Sequence, residues 1–196
     1  MMDSAAEGPL WRCPPLPIIL ACVILIALAE AGGGAMVKFK WPIANAVRGL
    51  MLGRPAVHGL VGVREVDEEV LDRLRQAIDA QFRLFHLHAE GMGVVILLGA
   101  MIAATVVPPS PLQRWLYWLL GLGALYPLGY LAAPAFIVPL GLDRGKQVAE
   151  VLFWIPFGGA VIVAMWLLAG WLACEMWRRR RAALRPAGDD GRAGAR

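Results

Sequence analysis

Asp67–Val107 reads DEEVLDRLRQAIDAQFRLFHLHAEGMGVVILLGAMIAATVV, and no Gly or Pro separates its charged first half from its apolar second half. Val66, Val70, Leu74, Ile78 and Phe82 recur every four residues, which lays one apolar stripe along a helix. Glu65, Asp67, Glu68 and Glu69 stand at its start, where the helix dipole favours negative charge. Glu69 with Arg73 and Asp79 with Arg83 are spaced to pair across one turn. From Phe85 to Val107 the chain is apolar apart from His86, His88 and Glu90. A span needs about 20 residues to cross about 30 Å of hydrocarbon. Residues 67–107 are therefore expected to form one rod of roughly 60 Å, its second half in a bilayer and its first half standing outside. The stripe on the outer half is expected either to be solvated or to dock on a partner or a second copy of the chain.

Three further apolar runs lie on either side. Leu16–Val37 is interrupted only by Glu30, Trp115–Leu142 carries no charge, and a last run fills the interval from Glu150 to Glu175. Across 196 residues, 59% are hydrophobic, 17% are charged and the mean hydropathy is +0.60. Soluble domains average about 25% charge, so a soluble enzyme, a disordered chain and a secreted disulfide scaffold are excluded. In lipid the backbone must satisfy its own hydrogen bonds, which makes runs of this length helices. The expected fold is all-α: an integral membrane four-helix bundle with an amphipathic interfacial segment and a helical extension of the second span. The expected parts are an N-terminal tail (1–15), spans at 16–37, 85–107, 115–142 and 148–177, an interfacial segment with its amphipathic helix (38–84), and a basic, disordered tail (178–196).

Pro127, Pro134 and Pro139 predict a kinked third span ending near Pro134. Lys38–Val63 mixes Lys38, Lys40, Arg48 and Arg54 with Trp41, Leu50, Met51 and Leu52, a composition that suits the headgroup layer. Ala29-Glu30-Ala31 has the form of a signal-peptide cleavage site. Asp3 and Glu7 make a poor n-region, however, so the first helix is expected to stay attached. The localisation expected is a multi-pass protein of the cell membrane. Lys and Arg divide almost evenly between the two sides, and the run Arg178–Arg181 beside the last span tips the termini toward the cytosol. The net charge of +4 suits anionic lipid, and no nucleic-acid motif is present. Partners are thus the lipid bilayer, a membrane complex or a second copy, and no nucleic acid.

Ionisable groups within a bilayer cost on the order of 2.5 to 3.5 kcal/mol each and call for a reason. In four antiparallel spans, Glu30, His86, His88, Glu90 and Glu150 approach the same interface. His86 and Glu90 are i,i+4 and share a face with Gly93, whereas His88 points about 200° away. His86 is accordingly expected to face the interior. Glu30, His86, Glu90 and Glu150 offer a carboxylate and imidazole shell suited to iron, zinc, copper or manganese. The same residues serve a proton-relay reading, and a purely structural role uses them as interhelical hydrogen-bond partners. Haem is less expected, because both intramembrane His lie on one helix and His58 lies outside the spans. Tyr126 and Tyr130, one turn apart, are secondary candidates with His88 and are expected to bond toward Glu30 or His86. Cys13, Cys22 and Cys174 form no motif and read as small apolar fillers. The function expected is a polar Glu/His site that binds a metal ion or relays protons within a redox or transport assembly. A structural or assembly subunit and a minimal dimeric proton-coupled transporter are the alternatives.

Overall fold

The computed structural model describes residues 12–184. Residues 1–11 and 185–196, most of the two expected tails, lie outside the described part. Seven α-helices and one π-helical segment follow one another: α1 Leu16–Leu52, α2 Pro55–His58, α3 Arg64–Val106, α4 Pro111–Gly123, α5 Leu128–Leu140, α6 Leu142–Ala149, the π-helix Glu150–Gly158 and α7 Gly159–Ala183. Among the described residues there is no strand. Three helical stretches, Leu16–Leu52, Arg64–Val106 and Leu142–Ala183, are long and apolar enough to cross a membrane. Helices α4 and α5, bent by 40° against each other, pass the same test only when taken together, which makes three such stretches or four. By length and composition this is a membrane protein.

Helix α3 runs unbroken for 43 residues and packs against α1, α4, α5 and α7. Its hairpin with α1 is the largest helix pairing in the molecule. The contacts Arg12–Thr105, Ile26–Gly93, Gly33–His86 and Arg48–Glu68 all fall on one antiparallel register. Small residues make this approach possible. Cys22 and Ala29 on α1 are fully buried, as are Ala89 and Ala100 on α3. A Cβ on Gly93 would lie 2.6 Å from Ile26 Cγ1 and 3.3 Å from the Cys22 carbonyl. In lipid, where apolar transfer does not drive helices together, such close backbone approach supplies the van der Waals energy.

The first helix does not stop at Val37. It continues through Pro42 to Leu52, so Lys38–Leu52 is a helical arm continuous with the first apolar run. Packing selects this conformation: Met51 is 1% exposed and meets Leu71, Leu74 and Ile78 of α3 in a second core. Ala133 and Ile137 of α5 and Ala149 of α6 complete that core. The α3 stripe around Leu74 and Ile78 is therefore covered by its own chain. Only Val66, at its outer end, is exposed. His58 fastens α2 to this assembly, its Nε2 lying 3.0 Å from the Val138 carbonyl.

The third apolar run breaks earlier than expected. Pro127 has no N–H to give, and the chain from Gly121 to Tyr130 closes in short i→i+3 bonds such as Tyr126 N–H to Gly123 O at 3.0 Å. Helix α5 then passes through Pro134 and ends at Gly141, whose φ of 85° only glycine adopts without strain. Helix α6 doubles back on α5 there. Arg178–Ala183, expected in the disordered tail, are the last turns of α7. Glu175 bonds Arg178 at 2.7 Å and Arg179 at 2.9 Å, and Arg181 sits 3.6 Å from the Trp177 ring.

Candidate functional site

Helix α3 presents its two intramembrane histidines to different neighbours. His86 faces α1: its Nδ1–H donates to the Ala29 carbonyl at 2.9 Å, and its ring fills the notch left by Gly33. A Cβ at Gly33 would come within 3.1 Å of His86 Cε1. The Nε2 of His86 points toward Glu90 Oε2 at 4.0 Å, outside hydrogen-bond distance. Glu30, one residue beyond the carbonyl that fixes His86, is exposed.

His88 faces the other way, into a cleft of about 640 Å³ between α3, the α4–α5 bend and the π-helix. Its Nδ1–H donates to the Leu84 carbonyl one turn back at 2.8 Å. That bond leaves Nε2 as the free ring nitrogen: among the described residues it has no hydrogen-bond partner, and in the neutral ring it carries the lone pair. The ring stacks on Tyr130 at 4.6 Å between centroids, and Tyr130 in turn lies 4.9 Å from Trp154. Tyr126 meets the His88 ring edge-on at 5.6 Å, and its hydroxyl bonds that of Tyr130 at 2.8 Å. Met92, Ile155, Val161 and Ile162 give the cleft apolar walls, and Glu150 closes one end with an exposed carboxylate.

The local backbone explains why these groups meet. The short-turn segment before Pro127 rotates Tyr126 and Tyr130 toward α3. Gly129 lets the Trp154 side approach: a Cβ there would lie 2.5 Å from the Trp154 indole nitrogen. Pro156 cannot donate to the carbonyl four residues back, and the chain spreads into π-turns until Gly158, which packs on the Tyr126 ring. Wide turns of this kind are frequent at functional sites.

Set against the sequence expectations, the polar residues divide into two groups. His86 and Glu90 stay together, while Glu150 joins His88, Tyr126 and Tyr130 across the helix. Among the described residues no three His, Cys, Asp or Glu side chains gather as a metal ion would require. The four-residue shell of Glu30, His86, Glu90 and Glu150 is thus not assembled, and His86 with Glu90 offers two ligands at most. The tyrosines bond each other and not Glu30 or His86. It is His88, not His86, that opens into a cavity. Trp154 was missed from the sequence; the signal available was Pro156 with Gly158-Gly159, which interrupts an otherwise smooth apolar run. Compared with family models, curated proteins and solved structures, the chain gives no match.

Proposed function

We propose that this multi-pass protein binds a bilayer-soluble amphiphile carrying a ring hydroxyl in the His88–Tyr126–Tyr130 cleft, as one component of a redox or transport assembly. The observation that carries the reading is the free His88 Nε2. With Nδ1–H committed to Leu84, Nε2 of the neutral ring accepts, so its complement is a ligand O–H or N–H. The flat wall of His88, Tyr130 and Trp154 suits a ring. The volume falls within the range of about 300–1,000 Å³ typical of small-molecule sites. A position in the cell membrane with both termini cytosolic belongs to the same proposal, on the strength of Arg178–Arg181 beside α7.

The test uses a decyl-tailed hydroquinone and its dimethyl ether, titrated into the detergent-purified protein while Trp fluorescence is followed. The hydroquinone is expected to bind about two- to tenfold more tightly than the ether, as one net hydrogen bond implies. His88→Phe, which keeps the ring and removes the acceptor, should erase that preference. Equal binding of the two probes, or an unchanged preference in His88→Phe, refutes the reading. A structural or assembly role draws support from a different observation: both histidines spend Nδ1–H on backbone carbonyls. Under that reading neither probe binds, and His86→Phe and His88→Phe change only thermal stability.

A further inference from the structure

On the opposite side of α3 from the aromatic cleft, the α1–α3 hairpin leaves a second cleft of about 370 Å³, lined by Met36, Val37, Lys40, Ile43, Asp79, Phe82 and Arg83. We infer that this cleft seats the headgroup of an anionic phospholipid, with Lys40 and Arg83 on its phosphate and Met36 and Val37 against the upper acyl chains. The inference rests on the membrane assignment of the helices and is independent of the ligand proposed for His88.

Position is the first argument. Lys40 lies three residues beyond the apolar run that ends at Val37, and Arg83 two residues before the one that begins at Phe85. The antiparallel register of the hairpin brings these two levels together, so the cations stand at the hydrocarbon boundary, where lipid phosphates lie. Charge is the second. The Asp79–Arg83 pair that the i,i+4 spacing predicts is absent: among the described residues, neither Arg83 nor Lys40 takes part in an ion pair, whereas Arg48, Arg73 and Arg75 nearby all do. Two cations from separate helices thus face one cleft containing a single carboxylate, Asp79. Shape is the third. On α1, Met36 and Val37 line the cleft on the span side of Lys40, while Phe82 and Ile43 lie beside the charged groups, so an apolar wall borders the cations.

Native mass spectrometry of the delipidated protein tests this by titration with phosphatidylglycerol, phosphatidylcholine and inorganic phosphate in separate arms. Phosphatidylglycerol should bind one molecule with about five- to tenfold preference over phosphatidylcholine. Lys40→Gln and Arg83→Gln should each weaken it about fivefold, as expected for removing one interfacial cation, and the double variant about 25-fold. Lys38→Gln, outside the cleft, should leave it unchanged, and helicity by circular dichroism confirms that each variant is folded. Equal affinity for the two lipids, undiminished phosphatidylglycerol binding in the double variant, or binding of phosphate without lipid preference overturns the inference. Solubility of the protein without detergent would instead overturn the membrane assignment itself.

Discussion

Gly145 is a residue at which an added methyl group would meet neighbouring backbone. It lies in α6, where the chain has doubled back on α5, and a Cβ there would sit 2.5 Å from both Cα and N of Ile137 and 2.8 Å from the Phe136 carbonyl carbon. Ordinary contact begins near 3.4 Å, so Gly145→Ala forces the two helices apart by about 1 Å. The obstacle is backbone, and no rotamer change can relieve it. A gap of that size forfeits about a quarter to a half of the dispersion well for the atoms it separates, here around Ala133, Ile137 and Ala149 in the outer core. Overpacking of this type costs about 1–3 kcal/mol, and the better helix propensity of Ala returns up to about 1 kcal/mol. The net expectation is a loss of about 1–2 kcal/mol. Gly170→Ala in α7 is the matched control, since nothing lies within 4 Å of a Cβ there and only the propensity gain remains. Thermal unfolding in detergent, followed by circular dichroism, should lower Tm by about 2–8 °C for Gly145→Ala, at roughly 2–4 °C per kcal/mol for a chain of this size. Gly170→Ala should leave Tm unchanged or raise it. A Gly145→Ala protein as stable as the parent would refute the close α5–α6 packing, and with it the in-chain cover over the α3 stripe.

Two further predictions concern the apolar half of the molecule. A Cβ at Gly123 would overlap the Val161 side chain, so Gly123→Ala should cost about 1–3 kcal/mol and Val161→Ala added to it should recover most of that, a coupling read from a double-mutant cycle of Tm values. Gln113 donates from Nε2 to the Ala103 and Val107 carbonyls at 3.1 and 2.9 Å and so closes the C-terminal end of α3. Gln113→Met keeps the volume but strips the buried Val107 carbonyl of this donor, and should lower stability by about 1–2 kcal/mol in the same assay.

The sequence carried α3 because its signal is local. Period, charge placement and the lack of any breaker between Asp67 and Glu90 all agree, and no neighbour is needed to read them. The continuation of α1 past Val37 had no such signal. Lys38–Leu52 suits a headgroup segment or an outer helix equally well by composition, and Pro42 argues mildly against the helix. What decides is the burial of Met51 against Leu71 and Leu74, residues some twenty positions away. The break in the third run was legible in kind but misplaced, because any of three prolines can end a helix and only packing determines which does. Pro134 is buried inside α5, whereas Pro127 falls where Tyr126 can turn toward His88.

The histidines follow the same logic. Spacing alone shows that His86 and His88 point to different faces, and the inference that one faces the interior and the other does not assumes that a helix has one packed side. Helix α3 has two: α1 covers one, and α4, α5 and α7 cover the other. Each imidazole therefore meets protein. Gly33 makes room for the His86 ring and the Ala29 carbonyl consumes its donor, while the side chain stays 32% exposed. His88 meets rings that stack without using Nε2, beside a backbone that Pro127 and Pro156 hold open. A polar atom becomes available to a ligand where its neighbours are shape-complementary but cannot bond it, and that property depends on three helices at once. It is invisible to any count along one of them.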